Sequence, residues 1–163
     1  TTPALFKVAN TPEKTLNLGI EGITPLVKTV NYFNNKTKAI VNLANEIVHN
    51  YNGQIPTDFE TLITLPGIGK KTASVFLNVA YHKPYIGVDT HVFRNAHRYG
   101  WVDDTDNTPE KVEAKLIQII PKKYHPIVNH VMVLHGRYVC KALRPECDKC
   151  PVAKWCNAKD KKI

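Results

Sequence analysis

Apolar positions recur every three or four residues along most of this chain and almost nowhere alternate in pairs. The longest stripe runs Ile40, Leu43, Ala44, Ile47, Val48 and Tyr51 and stops at Asn52-Gly53, which predicts a helix over about Lys36 to Tyr51. Ala73, Phe76, Leu77 and Ala80 repeat the spacing, as do Ile127, Val128, Val131 and Leu134 before Gly136. Thr11-Pro12-Glu13, Thr24-Pro25, Thr57-Asp58-Phe59-Glu60 and Thr108-Pro109-Glu110 each set a capping hydroxyl before residues favoured in a first helical turn. Thr57 and Glu60 have the spacing of a capping box. Tyr85 to Val88 is the one strand-like stretch, too short and solitary for a sheet. The pattern predicts an all-α chain with no internal repeat and no Gly/Ser linker.

With 163 residues, 43% of them hydrophobic, the chain can bury the core of one domain or of two small ones. It has no apolar run near the ~18 residues that span a bilayer, and Thr1 to Asn10 lacks the pattern of a signal peptide, so a soluble, intracellular protein is expected. A formal charge of +8 and a pI near 9.3 favour polyanions, nucleic acid first among them, although frequent lysine is also a compositional habit. All four cysteines lie between Cys140 and Cys156. A disulfide framework would spread them, so the clustering points to a metal site.

Leu62 to Ala73 reads as helix, tight turn, helix, with Leu65-Pro66-Gly67-Ile68-Gly69-Lys70-Lys71 at its centre. Gly67 and Gly69 let backbone N–H groups approach an anion at the start of the second helix, which suits a DNA phosphate. Lys70 and Lys71 sit where the helix dipole disfavours cations by roughly 0.3–1 kcal/mol each. A bound phosphate, a reactive amine or plain solvation would each account for them. Further on, Val88-Asp89-Thr90-His91 opens a helix that runs to about Tyr99 and stops at Gly100. Asp89 is a natural N-cap there and also a candidate catalytic carboxylate. His91, His130 and His135 read as structural.

The pattern Cys140-x6-Cys147-x2-Cys150-x5-Cys156 allows four thiolates to converge on one centre. Zinc and a [4Fe–4S] cluster both take four cysteines, and spacing alone leaves both open. Arg137, Lys141, Arg144, Lys149 and Lys154 surround the ligands and are either DNA contacts or solvated surface.

Taken in order, Leu-Pro-Gly-Ile-Gly-Lys-Lys-Thr-Ala, Val-Asp-Thr-His-Val-Phe-Arg and Leu134-His135-Gly136-Arg137-Tyr138-Val139-Cys140, leading into the 6-2-5 cysteine spacing, resemble the endonuclease III family of helix-hairpin-helix glycosylases. The resemblance covers essentially the whole chain. It implies a helix-hairpin-helix DNA glycosylase fold: a partial helical-barrel domain over residues 1–87, with the hairpin at about 57–80, and a cluster domain over 88–163. It implies Lys71 as the Schiff-base nucleophile and Asp89 as the catalytic aspartate. Cys140, Cys147, Cys150 and Cys156 become the ligands of a [4Fe–4S] cluster, and Gly67, Ile68, Gly69, Lys70 and Arg144 become DNA contacts.

The activity so implied is base excision repair of oxidised pyrimidines in double-stranded DNA, with strand cleavage at abasic sites by β-elimination. A bacterial-type cytoplasmic, nucleoid-associated protein with no membrane attachment, monomeric in its full-length form, is expected. The family also carries a segment before the position of Thr1, including a glutamine-bearing loop that fills the gap left by a flipped base. The chain is therefore expected to be N-terminally shortened, with apolar surface uncovered. A non-catalytic DNA-binding module is the rival reading. An adenine-DNA glycosylase relative is disfavoured by Lys71, since that branch typically lacks a lysine there.

Overall fold

Threonine caps open two of the helices as the sequence predicts. The computed structural model of the chain describes residues 2–161. Its helices are α1 (Thr2–Val8), α2 (Pro12–Val27), α3 (Phe33–Asn50), α4 (Phe59–Thr64), α5 (Lys70–Tyr81), α6 (Thr90–Tyr99), α7 (Pro109–Ile119) and α8 (His125–Tyr138). The Thr11 hydroxyl accepts from the Lys14 N–H ahead of α2, and Thr108 does the same for Lys111 ahead of α7, both at 3.3 Å. The chain divides into two compact units, Thr1–Gly69 and Lys70–Ile163. In the second unit Ile86 and Val88 share a core with Val92 and Val112.

In the first unit α2 packs against α1 and α3 around buried Ala9, Ile23 and Val27, with Leu18, Phe33 and Ile40 alongside. Fully burying a side chain such as Ile23 contributes about 1.5–3 kcal/mol. The stripe from Ile40 to Tyr51 forms its helix, which begins earlier than expected, at Phe33, behind Tyr32 in the left-handed region (φ 58°). Two expected helix starts are corrected. α4 is capped by Asp58, not Thr57: the Asp58 carboxylate accepts from the Thr61 N–H at 2.7 Å. Thr24-Pro25 opens nothing, since Pro25 lies inside α2 and the break comes at Gly19 (φ 60°, ψ −169°). The Thr24 hydroxyl instead donates back to the Ile20 carbonyl at 2.7 Å.

In the second unit α6 packs on α8 over a core of Ile86, Val88, Val92, Ala96, Val112, Leu116, Val128 and Met132. Buried Asn95 stitches the pair by donating to the Met132 carbonyl at 2.8 Å. α6 ends at Gly100, left-handed at φ 74°. Of the expected stripe on α8 only Val128 is buried, together with Met132 outside it, whereas Ile127, Val131 and Leu134 are exposed. Tyr85–Val88 forms no strand. After Cys140 no described residue is buried. The 3₁₀ turns at Cys147–Lys149 and Ala153–Trp155 therefore lack an apolar core of their own. No helix among the described residues is long and apolar enough to cross a membrane.

Candidate active site

Lys71 lies in the first turn of α5 and Asp89 is the N-cap of α6. The fold brings them together: Lys71 Nζ stands 3.6 Å from Asp89 Oδ2, with the lysine side chain 47% exposed and the aspartate 22%. That spacing is an ion-pair contact rather than a tight hydrogen bond, so the amine stays open to an incoming carbon atom. The two readings of Asp89 are compatible. Its Oδ1 accepts the His91 and Val92 N–H groups at 2.9 and 3.0 Å, which caps α6, while Oδ2 faces the lysine.

The neighbouring lysine also has a carboxylate. Lys70 Nζ donates to Glu110 Oε1 at 2.8 Å, both side chains being more than half exposed, and this ammonium holds Glu110 below the usual carboxylate range. Two cations at a helix N-terminus are thus each balanced by an acid from elsewhere in the fold. An exposed pair of this kind is weakly held because water screens it, so a phosphate can displace Glu110 from Lys70 at little cost.

Gly67 and Gly69 serve different ends. Gly67 is left-handed (φ 76°), and a Cβ there would stand 2.7 Å from the Ala39 Cβ. The Ile68 N–H closes the turn onto the Leu65 carbonyl at 3.1 Å. Gly69 is exposed, and a Cβ built on it meets nothing within 4 Å. Gly67 is therefore required by the turn, whereas the space at Gly69 is open. Arg144 is exposed, next to Leu143, which is 91% exposed.

All four cysteines are free thiols and line one cavity. Among the described residues no three Cys, His, Asp or Glu side chains are drawn together as a single metal ion requires. α6 braces this segment. Arg94 donates through Nε and NH2 to the Cys140 carbonyl at 3.1 and 2.9 Å and through NH2 to the Gly136 carbonyl at 2.8 Å. Arg98 reaches the Lys141 carbonyl at 2.7 Å and Cys140 Sγ at 3.4 Å, and it pairs with Asp160.

Tyr99 Oη stands 2.5 Å from His135 Nδ1, and His135 Nε2 stands 3.3 Å from Cys150 Sγ. Burial, reinforced by the charges of Cys140, Cys150 and Cys156, pushes the Tyr99 hydroxyl up, and burial pushes His135 down. Through its two ring nitrogens His135 thus links the Tyr99 hydroxyl to the Cys150 sulfur. Sequence reasoning singled out neither Arg98 nor Tyr99. The recurrence of Arg94 and Arg98 on one face of a helix was the available signal, and their targets are backbone carbonyls that leave no mark in a sequence.

A profile of the HhH-GPD superfamily of base excision DNA repair proteins matches residues 1–122. The chain is 46% identical to the endonuclease III of Rickettsia conorii over 156 residues, 96% of this chain and 73% of that protein. It is 39% identical to the endonuclease III of Escherichia coli K12 over 160 residues, 98% of this chain and 75% of that protein. Among solved structures it resembles a trapped endonuclease III–DNA covalent intermediate, an estranged-adenine complex, with a TM-score of 0.83 and 37% identity over 95% of this chain and 72% of that one. A non-covalent endonuclease III–DNA complex gives 0.84 at the same identity and coverage. A thermostable thymine-DNA glycosylase matches at 0.82 with 22% identity over 95% of this chain and 72% of that one, a likeness of fold alone.

Proposed function

The chain belongs to the endonuclease III family of the HhH-GPD superfamily, and on that premise we propose that it excises oxidised pyrimidines from double-stranded DNA and cleaves abasic sites through a Schiff base on Lys71. One observation carries this reading: an exposed lysine amine 3.6 Å from a half-buried carboxylate. Attack of the Lys71 amine on C1′ forms an N–C bond as the glycosidic bond breaks and the base departs. Asp89 takes up the proton released from the amine and stabilises the positive charge that develops on the sugar. The sugar ring then opens: the C1′–O4′ bond breaks, O4′ takes a proton and the C1′–N bond becomes an imine, which withdraws electrons so that loss of a C2′ proton expels the 3′ phosphate. Extrusion of the nucleotide is required because C1′ is out of reach within the stack.

DNA recognition is assigned to Gly67, Ile68, Gly69 and Lys70, which lead into the N-terminus of α5, and to Arg144. The open space at Gly69 and the exposed Lys70–Glu110 pair support a phosphate there, and the DNA complexes of the relatives support a DNA partner. Ile68 contributes through the turn, its N–H being taken by Leu65. Residues 88–163 are assigned as the cluster domain and residues 1–87 as the helical-barrel domain.

The cysteines fit a [4Fe–4S] cluster, which the family normally carries. Four free thiols border one cavity, the donor set that such a cluster takes. Cys140, Cys147, Cys150 and Cys156 would hold it, and it would supply the missing core of residues 141–161 rather than reaction chemistry. Incubation with an abasic duplex and borohydride tests the proposal. Covalent trapping that Lys71→Gln abolishes supports the lyase, and its absence in the unaltered chain favours a non-catalytic DNA-binding module.

A further inference from the structure

Tyr85–Val88 has no regular structure, yet side chains from three helices fix its backbone. From α5, Asn78 Nδ2 donates to the Tyr85 carbonyl at 2.6 Å and to the Lys83 carbonyl at 3.2 Å. From α8, Asn129 Nδ2 donates to the Gly87 carbonyl at 2.6 Å. From α7, Glu113 Oε1 accepts the Ile86 N–H at 3.0 Å. The segment is pressed against the turn of α5 that carries the reactive lysine: a Cβ on Gly87 would stand 2.4 Å from Val75 Cγ2, 3.2 Å from the Lys71 carbonyl oxygen and 3.7 Å from Lys71 Cγ. Asp89 follows immediately. The height of this segment over α5 therefore sets where Oδ2 stands relative to the lysine amine.

Glu113 is the unexpected member of this set. A carboxylate lodged among apolar residues is costly unless something holds it there. Its neighbours on α7, Val112 and Leu116, are fully buried. Burial pushes the Glu113 carboxyl up, opposed by the Ile86 N–H and by the nearby Ser74 hydroxyl, which is buried without closing a hydrogen bond of its own. A glutamine or an apolar residue would avoid the charge. The carboxylate instead holds an N–H that no regular ladder satisfies.

We propose that Glu113 is a positioning residue for the reaction: by pinning the Ile86 N–H it holds the Ile86–Asp89 segment down on α5 and so sets the spacing between Lys71 and Asp89. The proposal rests on the reading of those two residues as the catalytic pair. It concerns no contact with DNA, so its loss should appear in the chemical step and not in affinity.

The test uses the full chain and an abasic duplex, with single-turnover borohydride trapping for the rate, fluorescence anisotropy for the Kd, and thermal unfolding as a control. Glu113→Ala is expected to slow trapping by between about tenfold and a hundredfold, the loss that a misplacement near an ångström brings, with the Kd within about twofold. Glu113→Gln keeps an oxygen acceptor at the same reach and should recover most of the rate. Glu113→Asp keeps the charge but is too short to hold Ile86, so it should trap more slowly than Glu113→Gln. That ordering stands as the criterion if the alanine variant does not fold. Wild-type trapping by Glu113→Ala, a parallel loss of rate and affinity, or an aspartate variant faster than the glutamine variant each overturns the proposal. Lys71→Gln separates the two levels: if it still traps, the assignment of the nucleophile is wrong, whereas if it is dead and the Glu113 variants trap at full rate, only the positioning role fails.

Discussion

Gly69→Ala probes the hairpin as an anion site while leaving the fold intact. A Cβ at Gly69 meets no atom within 4 Å, and its φ lies outside the left-handed region. The substitution should therefore leave folding unchanged or raise stability by about 0.4–1 kcal/mol through the unfolded chain. Gly67→Ala is the contrast. Its left-handed φ of 76° costs an L-residue about 1–2 kcal/mol, and the 2.7 Å approach to the Ala39 Cβ adds roughly 1–3 kcal/mol of overpacking. If a phosphate occupies the space at Gly69, the added methyl displaces it and forfeits one charge-assisted hydrogen bond, worth about 1.5–3 kcal/mol. At 1.4 kcal/mol per decade, that is a Kd roughly 10- to 150-fold weaker.

Anisotropy with two unrelated duplexes at several salt concentrations, alongside urea denaturation, measures both effects. Gly69→Ala should bind both sequences more weakly by the same factor, with a salt dependence shallower by about one phosphate contact, and should unfold at or above the wild-type midpoint. Wild-type affinity in Gly69→Ala would refute the assignment of the hairpin to a phosphate. Loss of affinity on one sequence only would mean that bases, not the backbone, are read there.

Three further outcomes are expected. Asp89→Asn keeps the side-chain acceptor that caps α6 and should slow trapping with little change in stability, whereas Asp89→Ala should also lose about 0.5–2 kcal/mol in denaturation; equal stability of the alanine variant and the wild type would remove the capping role. Anaerobically prepared protein should contain about four irons and four sulfides per chain, and stripping them should disorder residues 141–161 while the α5–α8 helices keep their far-UV signal; stoichiometric zinc would contradict the cluster. Because burial raises the Glu113 carboxyl above its ordinary value of 4.5, its favourable contribution to stability is complete below that value and is lost as pH rises through the raised folded value; Glu113→Gln should flatten this decline in urea midpoints between acid and neutral pH, and a steeper decline in the variant would show that the sign is wrong.

Much of this protein is legible in its sequence because the information is local. A helix whose apolar residues recur from Ile40 to Tyr51 needs no partner to be recognised. Thr11 and Thr108 cap residues three positions away, and four cysteines within one short segment announce a common centre. The hairpin glycines and Lys71 are adjacent in sequence, so their motif survives without the fold. Even the cap at Asp89 could be read from the helix it opens.

Where several local choices were close in energy, packing decided. Asp58 rather than Thr57 caps α4, Gly19 rather than Thr24 interrupts α2, and α8 buries Val128 and Met132 while leaving Ile127 and Val131 exposed. The convergence of Lys71 with Asp89 belongs wholly to the tertiary structure. It rests on the missing side chain of Gly87, the carboxylate of Glu113 on α7 and the amide of Asn129 on α8, none of which forms a motif with Lys71 or Asp89. The same holds for Arg94 and Arg98, whose targets are carbonyls of the cysteine segment. Periodicity and capping act over one or two helical turns and so are written in neighbouring residues. Contacts that join distant segments depend on how whole helices pack, and the residues that make them can be read only once those helices are in place.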